Sequence, residues 1–208
     1  MTGASALLLG LGLGLRHATD ADHLVAIATL LQRERGPRRA AIVAALWGLG
    51  HSATFLGVGL LVVLLGLRVP APFETAAELL VALMLIALGA WQLARPRRPA
   101  PAPGHGDAAH ARSVAVGLVH GLAGSAGIAL LATTSIPSRL WAAAYLALFG
   151  LGTVAGMIAL TVILSWPIGW TLARGGAARR ASVVAAALLG IATGLLVGAD
   201  ALFGAGAQ

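Results

Sequence analysis

Six runs of mostly apolar residues, each near the length that crosses a bilayer, constrain this chain more than any motif does. They lie at 5–31, 40–66, 74–94, 113–134, 140–166 and 181–203, against the roughly 20 residues that a membrane-spanning helix needs. In hydrocarbon the backbone must satisfy its own hydrogen bonds, so such runs read as helices; a barrel would show short alternating segments instead. The expectation is an all-α integral membrane protein with six transmembrane helices. Composition agrees, with 59% hydrophobic residues, 10% charged residues and a mean hydropathy of +0.91. The opening "MTGASALLLG" has no basic leader region and its apolar run continues, so the first segment reads as a span rather than a cleaved signal.

The net charge of +7 comes from fourteen arginines and no lysine. Most arginines sit in "QRERGPRR", "RPRRPAPAPGHGDAAHAR" and "ARGGAARR", whereas "LRVPAPFE" and "SIPSR" carry one each. That distribution speaks for membrane orientation and against a nucleic-acid-binding face. It places the first, third and fifth connections in the cytoplasm and both termini outside, in a cell inner membrane. Trp141, Trp166 and Trp170 fall near the ends of the fifth span, where interfacial anchors belong. There are no cysteines, which excludes disulfides and thiolate metal sites. Any metal must be held by nitrogen and oxygen.

The two halves resemble each other. "GLRHATDADHLVAIAT" (14–29) aligns with "GLVHGLAGSAGIALLAT" (117–133), placing Gly14, Leu15 and His17 over Gly117, Leu118 and His120, and "GLG" at 48–50 falls over "GLG" at 150–152. Three spans per copy is an odd number, so the copies are expected to run in opposite directions, the inverted-repeat plan of many secondary transporters. Residues 1–95 form the first repeat, 96–112 a flexible cytoplasmic linker and 113–208 the second repeat. Glycines at four-residue spacing, Gly152 with Gly156 and Gly190 with Gly194 and Gly198, suit close helix packing.

The middle of the first span carries Arg16, His17, Asp20, Asp22 and His23. A charged group there costs about 2.5–3.5 kcal/mol on an insertion scale, so these residues need partners. On a regular helix His17, Asp20 and His23 share one stripe while Asp22 points away. Either Asp22 supports from behind or pairs with Arg16, or the helix is broken here, which the preceding "GLGLGL" would tolerate. A plain Arg16–Asp20 pair is the simplest neutralising alternative. His51 with Ser52 and His120 with Ser125 supply the other mid-span polar groups. One histidine in an apolar helix is usually a packing residue, but four together, with carboxylates and no thiols, point to a site for nickel, cobalt, copper or zinc. The candidate metal ligands are His17, Asp20, Asp22, His23, His51 and His120.

These residues carry a family resemblance. "RHATDADH" holds the H-x4-D-H signature (His17, Asp22, His23) of the nickel/cobalt transporter (NiCoT) family, "LGHS" (Gly50, His51, Ser52) resembles its second motif, and "GLVHGLAGSAG" resembles the matching segment of the short, UreH-like branch. The resemblance covers nearly the whole chain. It implies uptake of a divalent cation requiring His17, Asp22 and His23, with His51 supporting. Larger members have eight spans and a helix ahead of the signature; this chain begins with it.

The functional expectation is a permease for a divalent transition metal, nickel first and cobalt second, with the ion as substrate and no resident cofactor. Its partners are the ion and the bilayer; nucleic acid is not among them, and a homo-oligomer or metalloenzyme maturation proteins remain open. No G-x4-G-K-[ST] run is present, so energy is expected from a membrane potential, a proton gradient or a partner. Histidine and aspartate bind protons in competition with metal, so transport is expected to depend on pH. The rival readings are an exporter of the same family, an accessory protein handing metal to urease or hydrogenase assembly, an intramembrane metalloenzyme and a bis-histidine haem protein. The enzyme reading lacks an H-E-x-x-H run. Glu74 and Glu78 read as N-terminal helix carboxylates that secondarily attract cations to an outer entrance, Asp200 as an interfacial residue, and His105, Asp107 and His110 as incidental linker residues.

Overall fold

The computed structural model describes residues 3–32, 37–67, 69–94, 106–123, 136, 138–174 and 176–204. Seven helices lie among them: α1 (Gly3–His17), α2 (Ala21–Leu31), α3 (Pro37–Leu65), α4 (Ala71–Ala94), α5 (Gly106–His120), α6 (Arg139–Ala173) and α7 (Gly176–Phe203). The architecture is all-helical, and α3, α4, α6 and α7 are each long and apolar enough to cross a membrane. Many large apolar side chains face outward, including Leu8, Leu140, Trp166 and Phe203, as expected where lipid rather than water is the solvent.

The first expected span is not one helix. The α-helix stops at His17 and restarts at Ala21, with Asp20 extended at φ −62° and ψ 149°. Local bonds satisfy the exposed backbone: the Thr19 hydroxyl and the Thr19 N–H both donate to the Arg16 carbonyl, at 2.6 and 2.8 Å, and the Asp20 N–H donates to the His17 carbonyl at 3.0 Å. Such side-chain rescue makes a break tolerable at membrane depth. The fourth expected span, 113–134, is described only as far as Ala123, and Ser125 lies outside the described residues. Its helix α5 starts at Gly106, taking in the end of the stretch read as linker.

Contacts along the helices give their directions. Gly10 meets Tyr145, Gly14 meets Phe149 and Thr153, and Gly156 meets Ala18, so α1 runs parallel to α6. On the other side Gly50 meets Val114, Gly117 meets Trp47 and Gly121 meets His51, so α3 and α5 are also parallel. By contrast, Gly89 against Ala187 and Gly194 against Ala82 make α4 and α7 antiparallel.

The two parallel pairs repeat one contact. A Cβ on Gly14 would strike the Phe149 carbonyl and come within 2.9 Å of the Thr153 nitrogen; a Cβ on Gly117 would strike the Trp47 carbonyl and come within 2.9 Å of the His51 nitrogen. Gly152 against Leu11 and Leu15 has the same counterpart in Gly50 against Val114 and Leu118. Close backbone approach at these glycines sets the spacing of the bundle.

Two apolar clusters fill the interior. One joins Ile27, Leu31, Val43, Trp47, Leu85 and Met157, and the other joins Phe55, Tyr145, Leu146 and Phe149. The buried histidines lie between them.

Candidate metal centre

Four histidines from four helices converge. His17 ends α1, His23 lies in the first turn of α2, His51 is in the middle of α3 and His120 ends α5. Ring centroids are 4.6 Å apart for His17 and His23, 5.1 Å for His23 and His51, 5.4 Å for His17 and His51, and 4.4 Å for His23 and His120. The break after His17 is what permits this, because it turns α2 so that Asp22 and His23 face the same region as His17. His51 comes close because Gly50 lets α3 approach α5, and Ser52 beside it donates to the Gly150 carbonyl at 3.2 Å.

Both aspartates grip histidines. Asp20 Oδ2 lies 2.8 Å from His17 Nδ1. Asp22 Oδ1 accepts from the His23 main-chain N–H at 2.9 Å and lies 3.0 Å from His23 Nδ1, while Asp22 Oδ2 lies 2.8 Å from His120 Nε2. Among the described residues Arg16 makes no ion pair, so neither pairing considered for it from the sequence is formed. An ionised carboxylate only accepts, so the imidazole nitrogens facing Asp20 and Asp22 carry the hydrogens. In the neutral ring the opposite nitrogen keeps its lone pair.

Those lone pairs are buried and unused. His23 Nε2, His120 Nδ1 and both ring nitrogens of His51 have no hydrogen-bond partner among the described residues, and all three side chains are 1% exposed. Leaving such a group unsatisfied costs about 1–3 kcal/mol. Two sets of candidate ligand atoms, His17 with His23 and His51, and Asp22 with His23 and His120, each lie within 4.8 Å of one another. Neighbouring donors on a divalent transition metal with bonds of about 2.1 Å sit about 3.0–3.4 Å apart, so the rings enclose an ion by drawing together by an ångström or more. Trp47 edges His23 and His120 at 5.6 and 5.7 Å between centroids, and Phe149 flanks His17 at 5.4 Å.

All six residues singled out from the sequence are therefore here. Two further residues join them: a cavity of about 240 Å³ beside the histidines is lined by His17, Asp20, Asp22, His23 and His120, and also by Glu78 and Asp200. The sequence signal was available for Glu78, since Glu78, Val81, Leu85, Gly89 and Gln92 fall on the inward stripe of α4. His110 is exposed and His105 lies outside the described residues.

Residues 3–164 match the family described as high-affinity nickel-transport protein, NicO. The chain belongs to that family. NicO is a family of transporters, not of enzymes, and it accounts for the nickel/cobalt transporter signature in this chain. Urease accessory protein UreH of Bacillus sp. (strain TB-90) is 27% identical over 176 residues, covering 78% of this chain and 77% of UreH, which supports the short, UreH-like branch. The chloroplast protein FOR GROWTH AND FERTILITY 2 of Arabidopsis thaliana is 34% identical over 69% of this chain, which spans 42% of that protein. A high-affinity nickel transport protein of Cupriavidus necator is 46% identical over 56 residues, 26% of this chain and 16% of that one. No solved structure matches.

Proposed function

We propose that this NicO member is a permease that carries a divalent transition metal, nickel first and cobalt second, through the His17–His23–His51 cluster. The observation that carries the reading is the set of buried imidazole nitrogens with free lone pairs, at His23, His51 and His120, facing one another inside an apolar bundle. Neutral imidazoles are the nitrogen donors such ions prefer. Asp20 and Asp22 act from behind the ligands, fixing ring orientation as carboxylate partners of metal-bound histidines do. His120, tied to the same Asp22, takes the ion next.

Six spans, two inverted halves (1–95 and 113–208) joined by a cytoplasmic linker (96–112), an inner-membrane location and outward termini complete the proposal. The matched glycine contacts of α1 with α6 and of α5 with α3 support the inversion, as does the antiparallel pairing of α4 with α7. Rocking of one half against the other would open the site alternately to the two sides. Transport is secondary, driven by a potential or an ion gradient.

A second reading is an accessory role in metalloenzyme maturation, favoured by the likeness to UreH across most of both chains. Uptake of radioactive nickel and cobalt into proteoliposomes holding only this protein separates the two. Uptake that disappears in His17→Ala supports the permease. A wild-type protein that binds nickel in detergent yet moves neither ion under any gradient sinks it in favour of the accessory role.

A further inference from the structure

One buried face of α3 carries Val43, Trp47, His51 and Phe55 at four-residue spacing. Trp47 thus sits one turn from His51, toward the end where α3 opens with Arg38 and Arg39. Its side chain is fully buried, and its ring centroid lies 5.6 Å from that of His23 and 5.7 Å from that of His120. Beyond the ring, the space lined by Ile27, Leu30, Leu31, Val43, Ala44 and Thr161 has essentially no room for water.

The other side of the cluster differs. α4 starts at Ala71, shortly after α3 ends at Leu65, so Glu78 lies toward the opposite end of the bundle. From there the cavity of about 240 Å³ reaches His17, Asp20 and Asp22, none of which is buried. Water therefore meets the rim of the cluster from one end, and Trp47 walls the cluster off from the other.

A second observation concerns the indole itself. A buried tryptophan N–H normally has a hydrogen-bond partner, yet Trp47 Nε1 has none among the described residues. The sealed arrangement leaves this donor unsatisfied, and a ring that swings toward water gains the missing bond. The matching place in the other half shows the contrast: "WGLGH" (47–51) falls over "FGLGT" (149–153), and Gly14 meets the Phe149 carbonyl as Gly117 meets that of Trp47. Phe149 packs on Phe55 at 4.8 Å between centroids and has no donor to satisfy. Of the two equivalent rings, only Trp47 has a polar reason to move.

We infer that Trp47 is the gate on the arginine-rich side of the histidine cluster: the indole seals the site from that side and swings aside to release the ion toward it. This deepens the permease reading and rests on it for the passage of an ion.

The chain has no cysteine, so Val43→Cys, beyond the ring, reports access from that side. Val62→Cys, buried in the other apolar cluster, reports general loosening. Each is labelled in the full chain in detergent with a charged, water-soluble thiol reagent, with and without nickel. Val43→Cys should react slowly and speed up several-fold when nickel is added. Adding Trp47→Ala should make it react about tenfold faster without nickel, while Val62→Cys stays unchanged. Trp47→Phe keeps the ring but removes the unsatisfied donor; it should hold Val43→Cys at the slow rate even with nickel. In proteoliposomes the same variant should lower the saturating rate of nickel uptake several-fold with little change in KM. A ring that merely fills space would not give opposite shifts in the two variants. Val43→Cys that stays slow with Trp47→Ala, or that speeds up only together with Val62→Cys, overturns the gate, as does Trp47→Phe with unaltered nickel response and uptake. Opening at Val43→Cys with Trp47→Ala, in a protein whose wild type moves no nickel, upholds the seal and overturns the permease.

Discussion

Asp22 and His120, 98 positions apart in the chain, meet at 2.8 Å between Oδ2 and Nε2, while the other oxygen of the same carboxylate faces His23 Nδ1 at 3.0 Å. One carboxylate thus sets the orientation of two histidines on different helices. It also ties α5 to the break between α1 and α2. Asp22 can do this because α2 begins just before it, at Ala21.

Replacing Asp22 by asparagine keeps the shape but lets the amide donate as well as accept, so the two imidazoles lose the partner that fixes their hydrogens. Nickel affinity should fall about 10–100-fold, the usual effect of losing a carboxylate behind a metal-bound histidine. Asp20→Asn, which touches only His17, should fall less. Equilibrium binding in detergent checks the order; equal losses would mean that the carboxylates bind the ion directly.

His51 is the histidine with no carboxylate behind it, and both of its nitrogens are buried and unpartnered among the described residues. His51→Leu, which fills much of the same volume, should abolish tight nickel binding while leaving thermal stability about equal or raised, because an unsatisfied polar ring is replaced by an apolar side chain of similar size in an apolar setting. A cobalt-loaded absorption spectrum in the wild type, lost in the variant, would register nitrogen ligation. A clear drop in melting temperature without any change in binding would assign His51 to packing.

At Gly117 an added methyl would collide with the Trp47 carbonyl, and at Gly14 with that of Phe149. Gly117→Ala and Gly14→Ala should each destabilise the bundle by about 1–3 kcal/mol, the range for overpacking. Gly12→Ala, which meets nothing within 4 Å, is the control. Thermal unfolding in one detergent ranks the three, and Gly117→Ala should also disturb metal binding because His51 lies at the same contact.

The far end of the bundle is closed by a polar clasp: Gln32 Nε2 donates to the Ser182 carbonyl at 3.4 Å, Ser182 Oγ donates to Gln32 Oε1 at 3.1 Å, and Gln92 Nε2 donates to the Val183 carbonyl at 3.4 Å. Gln32→Ala should loosen this end, since each such bond contributes about 0.5–1.5 kcal/mol. With no native cysteine in the chain, Thr29→Cys reports directly; its labelling rate should rise several-fold with Gln32→Ala. An unchanged rate would mean that these bonds do not hold this end of the bundle together.

Apolar run lengths and the isolated polar groups within them were legible from residue order alone, because the transfer of each side chain into hydrocarbon is a local property. That reading reached the all-helical membrane class and all six residues that converge at the site. It also showed that one regular helix could not aim His17, Asp20, Asp22 and His23 at one point, with a broken helix as one of the alternatives. What it could not choose was the outcome: a break at Ala18–Asp20, with Asp20 on His17 and Asp22 shared by His23 and His120, in place of a pair with Arg16. Partner choice depends on which helices pack together, and close contacts at Gly14, Gly50 and Gly117 set that across the two halves. Glu78 shows the limit most directly. Near a helix start it reads as a capping carboxylate; its place on the inward stripe of α4 was open to view in the sequence, but only the packing of α4 against α7 brings it, with Asp200, to the histidine cavity.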